Sequence, residues 1–198
     1  MSRPVKRQAE IGMGKQYDLS SLSFLVIDDN NYMLSIIKTL LKGLGVHRIH
    51  EATDAAEAFE EFQTSQVDAI IVDYSLETLD GIEFAQLVRN ANDTPNPYVP
   101  IIMLTAHSER ARVEEARDAG ITEFLRKPIC AADLFSRIVE VIERPRPFVR
   151  SKNYFGPDRR RRVDENYRGE ERRKENRPLS TEPVDEGEAT EVETDACA

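Results

Sequence analysis

The chain has little of what builds covalent or metal cross-links. It holds two cysteines, Cys130 and Cys197, far apart, and three histidines. No close Cys or His pairing exists, so a structural zinc site and a disulfide framework are both excluded, and a reduced, cytoplasmic protein is expected. His47 and His50 flank a short apolar run with no cysteine or acid cluster beside them, which reads as surface or packing rather than metal ligation. No apolar run approaches the roughly 18 to 20 residues that cross a bilayer, and the polar N-terminus lacks the apolar core of a signal peptide. No membrane span is expected. Glycine-rich phosphate loops are missing too: GLG at 43–45 follows a helical stretch instead of a strand, and GMGK at 12–15 lacks the required spacing.

What is present is charge, unevenly placed. Of 198 residues, 40% are hydrophobic and 32% charged, and the mean hydropathy of −0.51 implies that part of the chain is not packed. Residues 1–22 carry a net +2, 23–149 carry −9, 150–177 carry +5 and 178–198 carry −7. The overall pI of about 5.0 therefore hides a basic block that suits an anionic partner. The length allows one domain with its own core plus extensions.

From Ser23 to Ile142 short apolar runs alternate with stretches of helical period, the pattern of a βαβ architecture. FLVI (24–27), RIHEA (48–52), AIIV (69–72), IIML (101–104) and EFLRK (123–127) are the expected strands. The central ones are apolar on both faces, as a parallel sheet covered by helices requires. Met33, Ile36, Ile37, Leu40, Leu41 and Leu44 form one core-facing stripe, and Ala55, Ala58, Phe59 and Phe62 a second. Phe84, Leu87, Val88 and Ala91 make a third, Val113, Ala116 and Ala119 a weaker fourth, and Ala131, Leu134, Phe135, Ile138, Val141 and Ile142 a fifth. Asp54 and Asp133 mark helix starts, Gly45 and Gly120 follow helix ends, and Pro145 with Pro147 stop the last helix. The expected division is an N-terminal extension (1–22), an α/β domain (23–144), and a charged, mostly disordered tail (145–198).

In an open parallel sheet, ligand-binding groups gather past the carboxyl ends of the strands. The first strand delivers Asp28 and Asp29 there, the third Asp73, the fourth Thr105 and the fifth Lys127. Alone, Asp28 and Asp29 would read as acids favoured at a helix N-terminus, Lys127 as solvated and Thr105 as a cap; the set carries the argument. Three close carboxylates repel unless a cation joins them, and with oxygen ligands only, magnesium fits better than zinc. A carboxylate beside such an ion can attack phosphorus and form a reversible aspartyl phosphate. Asp73, from the middle strand, is the expected nucleophile, with the Thr105 hydroxyl and the Lys127 ammonium meeting the phosphoryl oxygens.

Asp28 and Asp29, Asp73, Gly81 eight residues later, Thr105 before the small Ala106, and Lys127–Pro128 fall in the order of the receiver domain of two-component response regulators, which residues 23–143 resemble. The resemblance implies a flavodoxin-like doubly wound α/β fold, with a five-stranded parallel sheet of order 2-1-3-4-5 and five helices. It also implies a cis Lys127–Pro128 bond, and Mg2+ held by Asp28, Asp29, Asp73 and Ser75, with Asp29 the more direct ligand. Phosphorylation of Asp73 by a histidine kinase or phosphotransfer protein follows from it, as does signalling by protein contact with a downstream target. Ser75 and His107, each two positions beyond a site residue, would tune hydrolysis. Two positions depart from the family pattern. Leu76-Glu77 replaces the common Met-Pro, and Phe124 stands where tyrosine is frequent, so partner recognition there would rely on packing.

No apolar periodicity after Pro147 supports an output domain. The segment NYFGPDRRRR (153–162) reads as a solvated tail, a docking peptide, or a contact to nucleic acid or anionic lipid; its likeness to tails that follow some bacterial receivers favours docking. The alternative function is thus a nucleic-acid-binding adaptor acting through the basic 150–177 segment. A metal-dependent phosphatase would need an acid-x-acid motif on the first strand, where the acids here are adjacent.

Overall fold

A computed structural model describes residues 17–77, 79–106, 110–151 and 154–158. Five strands and five helices alternate in it: β1 (Ser23–Ile27), α1 (Asn31–Gly43), β2 (Arg48–Ala52), α2 (Ala55–Thr64), β3 (Ala69–Asp73), α3 (Gly81–Asn90), β4 (Ile101–Thr105), α4 (Arg110–Asp118), β5 (Glu123–Arg126) and α5 (Ala131–Glu143). The five strands form one parallel sheet in the order β2-β1-β3-β4-β5, as the resemblance implies. Every strand therefore ends on the same edge.

Strand alternation splits the core into two layers. Phe24, Val26, Ile71, Ile102 and Leu104 face one side and pack with Leu34, Ile37 and Leu41 of α1 and Leu134, Ile138 and Val141 of α5. Leu25, Ile27, Ile70, Val72, Ile101 and Met103 face the other and pack with Ala58 and Phe62 of α2, Phe84 and Val88 of α3 and Ala116 of α4. All of these are essentially inaccessible to water; burying each large aliphatic or aromatic side chain contributes about 1.5–3 kcal/mol against exposure.

Helix starts are fixed by side chains accepting from orphan amides. Asn30 accepts from the N–H groups of Tyr32 and Met33, and Asp54 from those of Ala56 and Glu57. Asp80 and Glu83 form a reciprocal capping box at α3. Gly45 and Gly120, with φ of +91° and +93°, turn the chain out of α1 and α4 in the left-handed region that other residues resist.

Two segments depart from the expected division. Within 1–22, Leu19 and Leu22 are buried in the α1/α5 layer, and the Tyr17 ring meets Phe135 edge-on at 6.1 Å. Beyond residue 144, β6 (Phe148–Ser151) and β7 (Tyr154–Pro157) form an antiparallel hairpin packed on the body near α3. Composition missed both because each contributes only two or three apolar side chains, too few to show a period. Residues 1–16 and 159–198 lie outside the described residues, with GMGK and the four arginines among them.

If Leu19 is core rather than extension, Leu19→Ala should lower unfolding free energy by about 2–4 kcal/mol in equilibrium denaturation. A loss within about 0.5 kcal/mol would mark it as peripheral.

Candidate phosphoryl and cation site

The site residues reach the carboxyl edge as each strand runs out. Asp28 follows β1 directly; Asp73 and Thr105 are the last residues of β3 and β4; Lys127 follows β5. The loops are tied to one another by backbone bonds. Tyr74 N–H donates to Leu104 O at 2.9 Å, Gly81 N–H to Tyr74 O at 3.0 Å, and Lys127 N–H to Thr105 O at 2.9 Å.

Lys127 Nζ sits between two acids, 2.9 Å from Asp73 Oδ1 and 3.2 Å from Asp28 Oδ2. Asp28 is 1% exposed and its other oxygen, Oδ1, accepts the Asn30 N–H at 3.0 Å. Asp29 is exposed. The three acids each offer an oxygen, all within 4.8 Å of one another. That set carries three formal negative charges against one ammonium and consists of hard oxygen donors, so the residues present fit a small divalent cation such as Mg2+.

Burial pushes the Asp73 carboxyl above the usual carboxylate range. Lys127 pulls it back, the nearby Asp28 charge pushes it up again, and the Tyr74 N–H lowers it. Burial works in the opposite sense on the Lys127 ammonium, but hydrogen bonding and attraction from Asp73 and Asp28 outweigh it and leave the group above its ordinary value. The site therefore holds a firmly protonated lysine beside a carboxylate whose charge is costly, an arrangement that favours an arriving cation.

Lys127–Pro128 is cis, as the resemblance implies. Thr105 is buried, and Ser75 lies exposed two residues beyond Asp73; His107 falls outside the described residues. Phe124 lines the same hollow as Thr105, together with Tyr74, Met103, Arg112 and Val113. Sequence reasoning did not single out Tyr74 or Arg112, whose guanidinium lies 5.5 Å from the Tyr74 ring centre. A cation and a ring 38 positions apart leave no periodic signal.

Strand order and edge chemistry together define a doubly wound α/β protein with an acidic, lysine-bridged site. The family model for the response regulator receiver domain matches residues 24–139, and the chain belongs to that family, the receivers of two-component signalling. The chain is 31% identical over 123 residues to chemotaxis protein CheY of Pseudomonas aeruginosa, a match spanning 62% of this chain and 98% of the relative. It is 29% identical over 124 residues to chemotaxis protein CheY-3 of Vibrio cholerae, covering 63% and 94%. Among solved structures it resembles the receiver domain of a sensor histidine kinase from Pseudomonas aeruginosa, solved with magnesium coordinated in its active-site cleft. That match has a TM-score of 0.55 at 29% identity and covers 62% of this chain and 98% of that one.

Gly81 shows how tightly the site is packed. A Cβ there would stand 2.2 Å from the Asp73 carbonyl oxygen, a backbone atom that cannot rotate away. Gly81→Ala should displace α3 or the Asp73 main chain, lowering the melting temperature by several degrees and weakening Mg2+-induced thermal stabilisation. An unchanged melting temperature together with an unchanged Mg2+ response would refute the close approach.

Proposed function

We propose that this chain is a phosphorylation-dependent signalling switch that accepts a phosphoryl group on Asp73. The observation that carries this reading is the placement of a buried Asp73 carboxylate 2.9 Å from Lys127, within reach of Asp28 and Asp29 at one edge of the sheet. Asp73 attacks phosphorus, the bond from phosphorus to the donor's leaving atom breaks, and the leaving group departs with that electron pair. The donor is a phosphohistidine on a kinase or phosphotransfer protein. Lys127 meets one phosphoryl oxygen and the Thr105 hydroxyl donates to another.

Asp29, Asp28, Asp73 and Ser75 would hold Mg2+. When bound, the ion supplies positive charge to the phosphoryl oxygens. Asp29 is the more direct ligand because it is exposed, whereas both Asp28 oxygens already accept hydrogen bonds. Thr105 and Phe124 line one hollow, so a shift of the hydroxyl toward the phosphoryl group changes the packing of that ring. This is the route by which the site alters contact with a downstream protein. Acting as a regulatory phosphoacceptor, the chain would catalyse no more than its own phosphotransfer and dephosphorylation. The nucleic-acid alternative depends on 150–177, most of which lies outside the described residues.

Incubation of the full chain with acetyl phosphate and Mg2+ should add one phosphoryl group in intact-mass analysis. Asp73→Asn should abolish the adduct, as should chelation of the metal. A persisting adduct in Asp73→Asn would overturn the assignment.

Lys127→Ala and Thr105→Ala test the neutralising groups separately. Lys127→Ala should slow phosphoryl uptake by about 10²-fold, the size of loss seen when one preorganised charge-stabilising donor is removed. Thr105→Ala should be milder, because its group is neutral. Uptake at the native rate in Lys127→Ala would remove the lysine from the reaction.

A further inference from the structure

Two charges lie inside the body at the sheet's amino edge, opposite Asp73, and chain beyond residue 139, where the family match ends, completes both. Arg89 of α3 is 2% exposed. Its Nε and Nη2 donate to Gly120 O at 3.1 and 3.0 Å, and its Nη1 donates to Pro97 O at 2.8 Å. All three bonds go to neutral carbonyls, and the Phe148 ring of β6 covers the guanidinium at 5.1 Å. Burial pulls Arg89 down to about 9, against a smaller upward pull from Tyr154, which still leaves it charged at neutral pH. Glu123, the first residue of β5, is 1% exposed. It takes ion pairs from Arg137 of α5, at 3.5 Å, and from Arg146 of the connection to β6.

The hairpin fits this seat closely. Tyr98 meets Phe148 and Phe155 edge-on at 5.2 and 5.4 Å, and Asp158 N–H donates to Pro147 O at 2.8 Å, closing the hairpin base. A Cβ on Gly156 would stand 2.8 Å from Gly120 Cα and 2.7 Å from the Tyr154 hydroxyl. Gly120 itself needs its positive φ to end α4, so a glycine of the hairpin touches a glycine of the body where neither tolerates a side chain.

We propose that residues 146–151 and 154–157 are an intramolecular clamp, seated in a site that Arg89, Tyr98, Gly120 and Glu123 form for it, and that this clamp holds the α4–β5 junction in place. A receiver ending after α5 would keep the Arg137 pair and the Arg89 bonds to carbonyls but lose the Arg146 pair to Glu123 and the Phe148 ring over Arg89. Charges removed from water persist only when paired or covered, and the extension does both. The clamp also holds one end of a strand whose other end leads to the phosphoryl site, since β5 begins at Glu123 and Lys127 follows its last residue. The proposal does not depend on Asp73 chemistry, and its test needs no phosphodonor.

The test is hydrogen exchange by mass spectrometry on the full chain, with thermal unfolding in parallel. In the native protein, amides of 148–151 and 154–156 should exchange at least about tenfold more slowly than an unstructured segment. Gly156→Ala, Arg146→Ala and the milder Tyr98→Ala should each lose that protection and speed exchange around 119–123. Arg146→Ala should also lower the melting temperature, and adding Glu123→Gln should restore at least half of the loss, because the buried carboxylate that has lost one of its two arginines is then neutral. Native-like exchange in all three single variants would overturn the clamp, as would unstructured-rate exchange of 148–151 and 154–156 in the native chain. Failure of Glu123→Gln to rescue would overturn the role given to the buried pair.

Discussion

One ammonium group makes this arrangement of acids possible. Asp28 and Asp73 end neighbouring strands, both nearly sealed from water, and two carboxylates so placed repel strongly. Lys127 bridges them from the end of β5, two strands from β3 and three from β1. Its bonds have a consequence beyond charge balance, because Lys127 can reach both acids only if β3, β4 and β5 run parallel and end level. The sheet topology is therefore a condition of the site. The site in turn keeps an excess of negative charge, since one lysine answers three acids, and that remainder is what suits it to a divalent ion.

Much of this was legible before any coordinates. Strands apolar on both faces and stripes of helical period identify themselves through regular repetition, and the strand limits differ from the expected ones by at most one residue. Asp28, Asp73, Thr105 and Lys127 were legible for another reason: each polar residue interrupts or follows an apolar run at the point where a parallel strand must end. Strand order came only from family resemblance, because alternation of strand and helix does not say which strands pair. Bond distances and the shared position of Phe124 and Thr105 beside one hollow had no sequence signal at all.

The hairpin was illegible for a physical reason. Its stability does not come from its own pattern: all four β6 residues are intermediate or exposed, and the three buried ones in β7 depend on the body beneath them. A two-stranded hairpin alone is marginal in water. Phe148, Phe155 and Gly156 matter because Arg89, Tyr98 and Gly120 wait for them, and those partners are scattered over α3, the loop before β4 and the loop after α4. Arg89 itself lies on the buried face of α3, one turn after Ala85 and two turns after Ile82, beside the buried Val88. Composition counts such a residue as surface charge, so the reading was bound to miss it.

The two poles of the sheet then use buried charge in opposite ways. At the carboxyl edge the acids outnumber the cation, Asp29 remains open to water, and the balance is left for something that arrives from outside. At the amino edge Glu123 is met by two arginines of the same chain, and Arg89 donates to carbonyls beneath a ring, so both buried charges find their partners within the chain. A cluster of like charges can respond to a ligand because binding removes repulsion; charges partnered within the chain resist change because opening strips partners from a charge in low dielectric. β5 joins the two. Its four residues run from the closed pole to the lysine of the open one, so the rigid end gives Lys127 a fixed base from which to hold Asp28 and Asp73 together.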